Sequence, residues 1–125
     1  MWAVDACGPP SMAPVTIIDL SFDPPGRDED DLNGEWVLLA DRSDLEADLS
    51  GWVLRDESSD HRYHFPAGTV LQPGGQVRVH TGSGNDGEGD LFWGEDGPVW
   101  NNGGDTALLL DPAGNVAGRL RYSGT

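Results

Sequence analysis

The chain's 125 residues amount to about one domain, enough for a single two-layer core and too few for two. Asp and Glu total 22 against 7 basic residues, every one an arginine, for a net charge of −15. Counterion release requires clustered Lys or Arg, so this balance excludes strong binding to nucleic acid in ordinary buffer, with the arginines scattered along the chain. No apolar run reaches the roughly 18 residues of a membrane-spanning helix.

Lysine is absent, and the carboxylate excess goes beyond what a codon bias toward arginine explains. In molar salt the Debye length shrinks to about 3 Å and such a surface no longer repels itself, so the composition reads as halophilic adaptation. Cys7 is the single cysteine, which rules out an intramolecular disulfide. Residues 1–12 lack the basic and apolar regions of a complete signal peptide, and Val4-Asp5-Ala6-Cys7 matches the end of a lipoprotein signal only faintly. Residues 1–14 are therefore expected to be a flexible segment or linker ahead of a domain at 15–125.

In chain order, residues 15–22 are β-branched and run into the turn Asp23-Pro24-Pro25-Gly26, which predicts a strand. An acidic loop follows at 28–31, then a short apolar run at 36–40 that predicts a buried strand with Trp36 in its core. Residues 52–54 and the alternating 61–65 flank a polar turn at 56–60, a hairpin signature. Val77 and Val79 alternate with Gln76, Arg78 and His80, a strand with one polar face. Residues 82–102 read as a long structured loop anchored by Leu91-Phe92-Trp93 and Val99-Trp100. Residues 106–110 and 116–120 bracket Asp111-Pro112-Ala113-Gly114-Asn115 as a last hairpin. The whole predicts an all-β, immunoglobulin-like antiparallel sandwich of about seven to nine short strands.

Several stretches, in one order and spacing, resemble the lamin-tail domain family. They are Asn33-Gly34-Glu35-Trp36-Val37, Asp48-Leu49-Ser50-Gly51-Trp52, residues 65–71 with Pro73-Gly74-Gly75, Val79-His80-Thr81-Gly82-Ser83-Gly84, Leu91-Phe92-Trp93-Gly94 and residues 99–110. Together they span about 15–122. The resemblance implies an immunoglobulin-like sandwich with no catalytic residue set of its own, of prokaryotic and haloarchaeal type, set beside secreted or membrane-attached hydrolases. It therefore implies an extracellular or cell-surface location. No coiled-coil rod is present, so this chain alone is not a filament-forming lamin.

The candidate chemical groups are few. Ser83 lies in Gly82-Ser83-Gly84, which is not a nucleophile elbow, and Cys7 has no cationic neighbour to activate it. His61 and His64, three apart on a strand, point to opposite faces; His64 and His80 are candidate cross-strand neighbours but make two zinc ligands where three or four are needed. No cofactor is expected. If a cation is held, it is calcium, with Asp86, Glu88 and Asp90 as candidate ligands, although Leu91 stands where an EF-hand loop needs glycine. Of five tryptophans, Trp36 and Trp52 are assigned to strand cores, with Trp93 and Trp100 holding the long loop; exposed rings would instead mark a glycan platform.

These features predict a non-enzymatic binding or accessory module with a protein or surface-ligand partner, the alternatives being a carbohydrate-binding or self-associating surface module or, after these, a metal-assisted hydrolase. The acidic surface carries its own test. Thermal unfolding followed by circular dichroism is expected to shift to higher temperature steadily from tens of millimolar to molar potassium chloride; a flat or falling series rules out halophilic adaptation.

Overall fold

The computed structural model describes residues 15–22, 32–58, 61–97, 99–100 and 104–123. The N-terminal segment with Cys7, the turn at 23–26, the acidic loop at 28–31 and the turn at 101–103 lie outside the described residues. The strands in chain order are β1 (Val15–Ser21), β2 (Trp36–Asp41), β3 (Ala47–Asp48), β4 (Val53–Arg55), β5 (Arg62–His64), β6 (Val70–Leu71), β7 (Gln76–His80), β8 (Asp90–Phe92), β9 (Gly104–Leu110) and β10 (Val116–Ser123), with one 3-10 turn at Leu32–Gly34. Among the described residues no helix is long and apolar enough to cross a membrane.

Two four-stranded sheets, ordered β1-β2-β7-β8 and β10-β9-β4-β5, form the sandwich, and β3 pairs with β6 in a small third sheet. Period-two alternation decides what faces inward. Val15, Ile17, Val37, Leu39, Val77, Val79 and Leu91 from the first sheet meet Leu54, Tyr63, Ala107 and Leu109 from the second in one core. Each Val, Leu or Ile among them, fully buried, contributes about 1.5–3 kcal/mol.

The sheets join along β1 and β10. A Cβ at Gly118 would lie 2.9 Å from Thr16 Oγ1 and 3.2 Å from Thr16 Cα, so a bare backbone is needed for β10 to come this close. Both strands shift register near the contact, between Ile17 and Asp19 in β1 and between Val116 and Gly118 in β10.

The expected sandwich is present, with three departures in detail. The described strands number ten, because the two-residue pair β3–β6 is too short to leave a period in the sequence. Within the segment expected to be a loop, β8 runs parallel to β7, pairing Arg78 with Asp90 and His80 with Phe92, so the sandwich is not wholly antiparallel. This crossing uses fewer than the dozen or so residues usual for parallel neighbours. Gly84 helps it close, since a Cβ there would meet the Phe92 ring at 2.6 Å. Finally, Trp36 is not in the core: with Val37 and Leu39 facing inward, parity turns it to the outer face, where the Arg78 guanidinium sits 4.8 Å from its ring centroid.

Trp93 and Trp100 do anchor the long loop. Trp100 is buried, and the Trp93 ring stands edge-on to it at 6.1 Å and against Tyr63 at 5.8 Å. What holds this loop against the first sheet is Glu35, a fully buried carboxylate at the foot of β2. Its Oε1 accepts hydrogen bonds from Thr81 Oγ1 at 2.9 Å and from the backbone N–H groups of Val99 at 2.8 Å and Trp100 at 3.2 Å. The Glu35 carbonyl also accepts from the Thr81 N–H at 3.0 Å.

A methyl group at position 35 strands three buried donors at once. Glu35→Ala is therefore expected to cost about 3–5 kcal/mol in denaturant unfolding. A loss below about 1 kcal/mol, within the range of a single ordinary hydrogen bond, contradicts the latch.

Candidate functional site

The groups singled out from the sequence are dispersed by the fold. Ser83 is exposed, and its carbonyl accepts a hydrogen bond from Asn33 Nδ2 at 2.9 Å. His64 and His80 are not neighbours: His64 pairs with Val53 in the second sheet, whereas His80 pairs with Trp36 and Phe92 in the first. Two strands near each other in sequence thus lie in different sheets. Both ring nitrogens of His80 are engaged, Nδ1 with the Asn33 carbonyl at 2.9 Å and Nε2 with Asp90 Oδ1 at 2.7 Å, and the ring stacks on Phe92 at 4.9 Å.

The calcium candidates separate in the same way. Asp90 is taken up by His80, while Asp86 Oδ1 accepts the Phe92 N–H at 3.0 Å. Asp86 and Glu88 line a groove of about 520 Å³ between residues 66–71 and 86–91, together with Leu71, Val77 and Leu91. Among the described residues no three His, Cys, Asp or Glu side chains gather as a metal site.

Many acids instead shape turns. Asp56 is buried and takes hydrogen bonds from His61 N and Ser58 Oγ, with His61 Nδ1 at 2.8 Å from its Oδ2. Burial pushes its carboxyl up, but the contacts with the His61 side chain, the His61 backbone and Ser58 together outweigh it and hold the group below the usual aspartate value. Asp48 is held low by Ser50, first through its hydroxyl at 2.6 Å and then through its N–H. The same Ser50 hydroxyl accepts from Gly68 N at 2.8 Å, tying together two of the family-like stretches. Asp111 is held low chiefly by the Asn115 N–H and closes the last hairpin. The phenol of Tyr63 is pushed up to about 12 by burial and by the charge of Asp86.

One surface stands apart. On the second sheet, Leu54, Tyr63, Ala107 and Leu109 face the core, so the alternate positions face out. These are Val53 and Arg55 on β4, Arg62 and His64 on β5, Gly104, Thr106, Leu108 and Leu110 on β9, and Val116, Arg119, Arg121 and Ser123 on β10. None is Asp or Glu, in a chain with 22 of them, and four of its 7 basic residues are here. Four of the seven arginines, expected to be scattered, are thus gathered on one face.

The register sets Arg119, Leu108, Arg55 and Arg62 in a row across the four strands. Arg55 Nη1 donates to the carbonyls of Asp56 at 2.9 Å and Glu57 at 3.2 Å, which fixes its guanidinium. Arg62, Arg119 and Arg121 are exposed and make no ion pair among the described residues. Leu108, outside the core cluster, is only 7% exposed in the midst of this row. A depression of about 310 Å³ beside it is lined by Glu57, Thr106, Leu108, Arg119 and Arg121.

Two packed sheets around a single shared core, with no assembled catalytic set among the described residues, define an immunoglobulin-like β-sandwich domain. The chain belongs to the lamin tail domain family, whose model, described as Lamin Tail Domain, matches residues 9–124. Domains of this family are generally non-catalytic interaction modules. A search of the curated proteins finds no match.

The depressed carboxyl of Asp56 fixes the sign of a pH effect. Its folded-state value lies below the unfolded value of about 3.9, so its contribution is present above that pH and is lost as pH falls through the folded value. Asp48 and Asp111 act in the same direction. Stability is expected to decline only below about pH 4 on this account, and Asp56→Asn to lower the neutral-pH plateau by about 1–3 kcal/mol while flattening the acid limb. An unchanged acid limb in denaturant titrations of the variant refutes the assignment.

Proposed function

We propose that this lamin-tail domain is a non-catalytic interaction module that meets its partner through the outer face of β10-β9-β4-β5. It serves in that role as an accessory to a secreted or cell-surface protein, such as a tethered hydrolase. The observation that carries this reading is an arginine-bearing face whose outward strand positions hold no Asp or Glu, with Glu57 only at its margin, on a chain of net charge −15. Enrichment in arginine with depletion of Asp and Glu is shared with protein interface cores.

Catalysis has less support. His80 has no free ring nitrogen to serve as a base, since Asn33 and Asp90 occupy both. A glycan platform at Trp36 is disfavoured by Arg78, which covers one face of that ring.

The reading is tested by amide chemical-shift mapping of the labelled domain against an acidic peptide, a basic peptide, a neutral oligosaccharide and a short DNA duplex. At least one ligand is expected to move the amides of β4, β5, β9 and β10 and leave β1 and β2 unmoved. Perturbations confined to the first sheet, or turnover of a nuclease, esterase or phosphatase substrate abolished by one point substitution, overturn it.

A further inference from the structure

We infer that the occupant of the arginine face is a short, extended, carboxylate-rich segment of another polypeptide, an inference that rests on the assignment of that face as the contact surface. The spacing of the arginines is the first reason. Along β10, Arg119 and Arg121 are two residues apart, the same repeat at which an extended chain presents alternate side chains, about 6.8 Å. A segment laid beside β10 therefore offers a carboxylate to each in turn. Across the sheet, the row from Arg119 to Arg62 crosses three strand spacings, about 14 Å, which four or five extended residues span.

Chemistry points the same way. A guanidinium takes a carboxylate in paired, parallel hydrogen bonds, a mode that the exposed Arg62, Arg119 and Arg121 can offer, whereas Arg55 Nη1 is given to two backbone carbonyls. With Arg62, Arg119 and Arg121 making no ion pair among the described residues, no internal bridge has to break for them to bind. Between the arginines, Val53, Leu110 and Val116 accept apolar side chains from the same segment, and Val116 is 41% exposed.

Size and charge decide against the other occupants. Four short strands present a face of about 400 Å², half of the roughly 800 Å² per partner that a stable folded complex buries, so a second copy of this domain is poorly served. A duplex would bring a far longer run of anionic charge than a short peptide within a Debye length, about 10 Å, of Glu57 and Asp105, which line depressions beside Arg121. Four arginines release too few counterions to overcome that repulsion.

The experiment uses the full chain and a fluorescent peptide of about eight residues alternating Asp and Leu, long enough to span the row. Its counterpart carries Asn for every Asp. The triple variant Arg62→Ser, Arg119→Ser, Arg121→Ser removes exposed side chains only, and its amide spectrum is checked for an unchanged fold. Arg78→Ser, on the opposite sheet, is the control. The Asp peptide is expected to bind in low salt, to weaken as salt is added, and to lose at least about tenfold in affinity with the triple variant but not with Arg78→Ser. The Asn peptide is expected not to bind. If a DNA duplex binds the same face more tightly than the Asp peptide, or if the chain sediments as a dimer that the triple variant dissolves, the inference falls and the contact-face reading stands. If Asp-peptide binding survives the triple substitution and no other ligand moves the face, both fall.

Discussion

The Glu35 carboxylate is the constraint around which the rest of the structure is arranged. A buried carboxylate is tolerated only where several donors replace its lost water, and here one oxygen collects a hydroxyl and two backbone N–H groups from segments 46 to 65 residues away in sequence. Those donors lie just beyond β7 and just before β9, at either end of the excursion that contains β8. By satisfying them, Glu35 converts a glycine-rich, acidic stretch into a defined crossing between sheets. Trp100 can then be buried beside Trp93, and β9 enters the second sheet with Ala107 and Leu109 turned inward.

How much of this was legible depends on the range of the interaction. Alternation in Gln76–His80 and the turn at 111–115 gave strands and hairpin directly, because period-two burial and Asp-Pro-Ala-Gly-Asn turn chemistry are local. β8 was hidden because three residues carry no period, and its parallel pairing depends on Gly84, outside the strand, against which its Phe92 packs, and on the latch. Arg119 and Arg121 share one face because β10 runs on to Ser123, past the strand expected at 116–120. That β10, β9, β4 and β5 lie in this order, and so gather Arg55 and Arg62 beside them, is a matter of topology that one sequence does not carry. Trp36 misled for a different reason: a large apolar ring in an apolar run reads as core, and only the inward register of Val37 and Leu39 turns it out.

The acidic composition also divides into two populations. Asp48, Asp56, Asp86 and Asp111 accept backbone N–H groups and shape turns, work that needs a short acceptor at each place and would be needed at any salt concentration. The carboxylates that do no such work are the ones for which solvation and screening matter. Against this background the outward strand positions of the second sheet hold no acids, a contrast that net charge alone conceals.

The seam between β1 and β10 has a mechanical side. Gly118 lies against Thr16, and Phe22 stacks on Tyr122 at 4.3 Å, so the two strands lie side by side and run in the same direction. Tension applied between Val15 and Ser123 then pulls on opposite ends of neighbouring parallel segments. Such a load shears the seam, and its contacts must yield together rather than peel one by one. Set in line within a longer chain, the domain would transmit force through its stiffest direction while the arginine face, whose register runs across the strands, keeps its spacing.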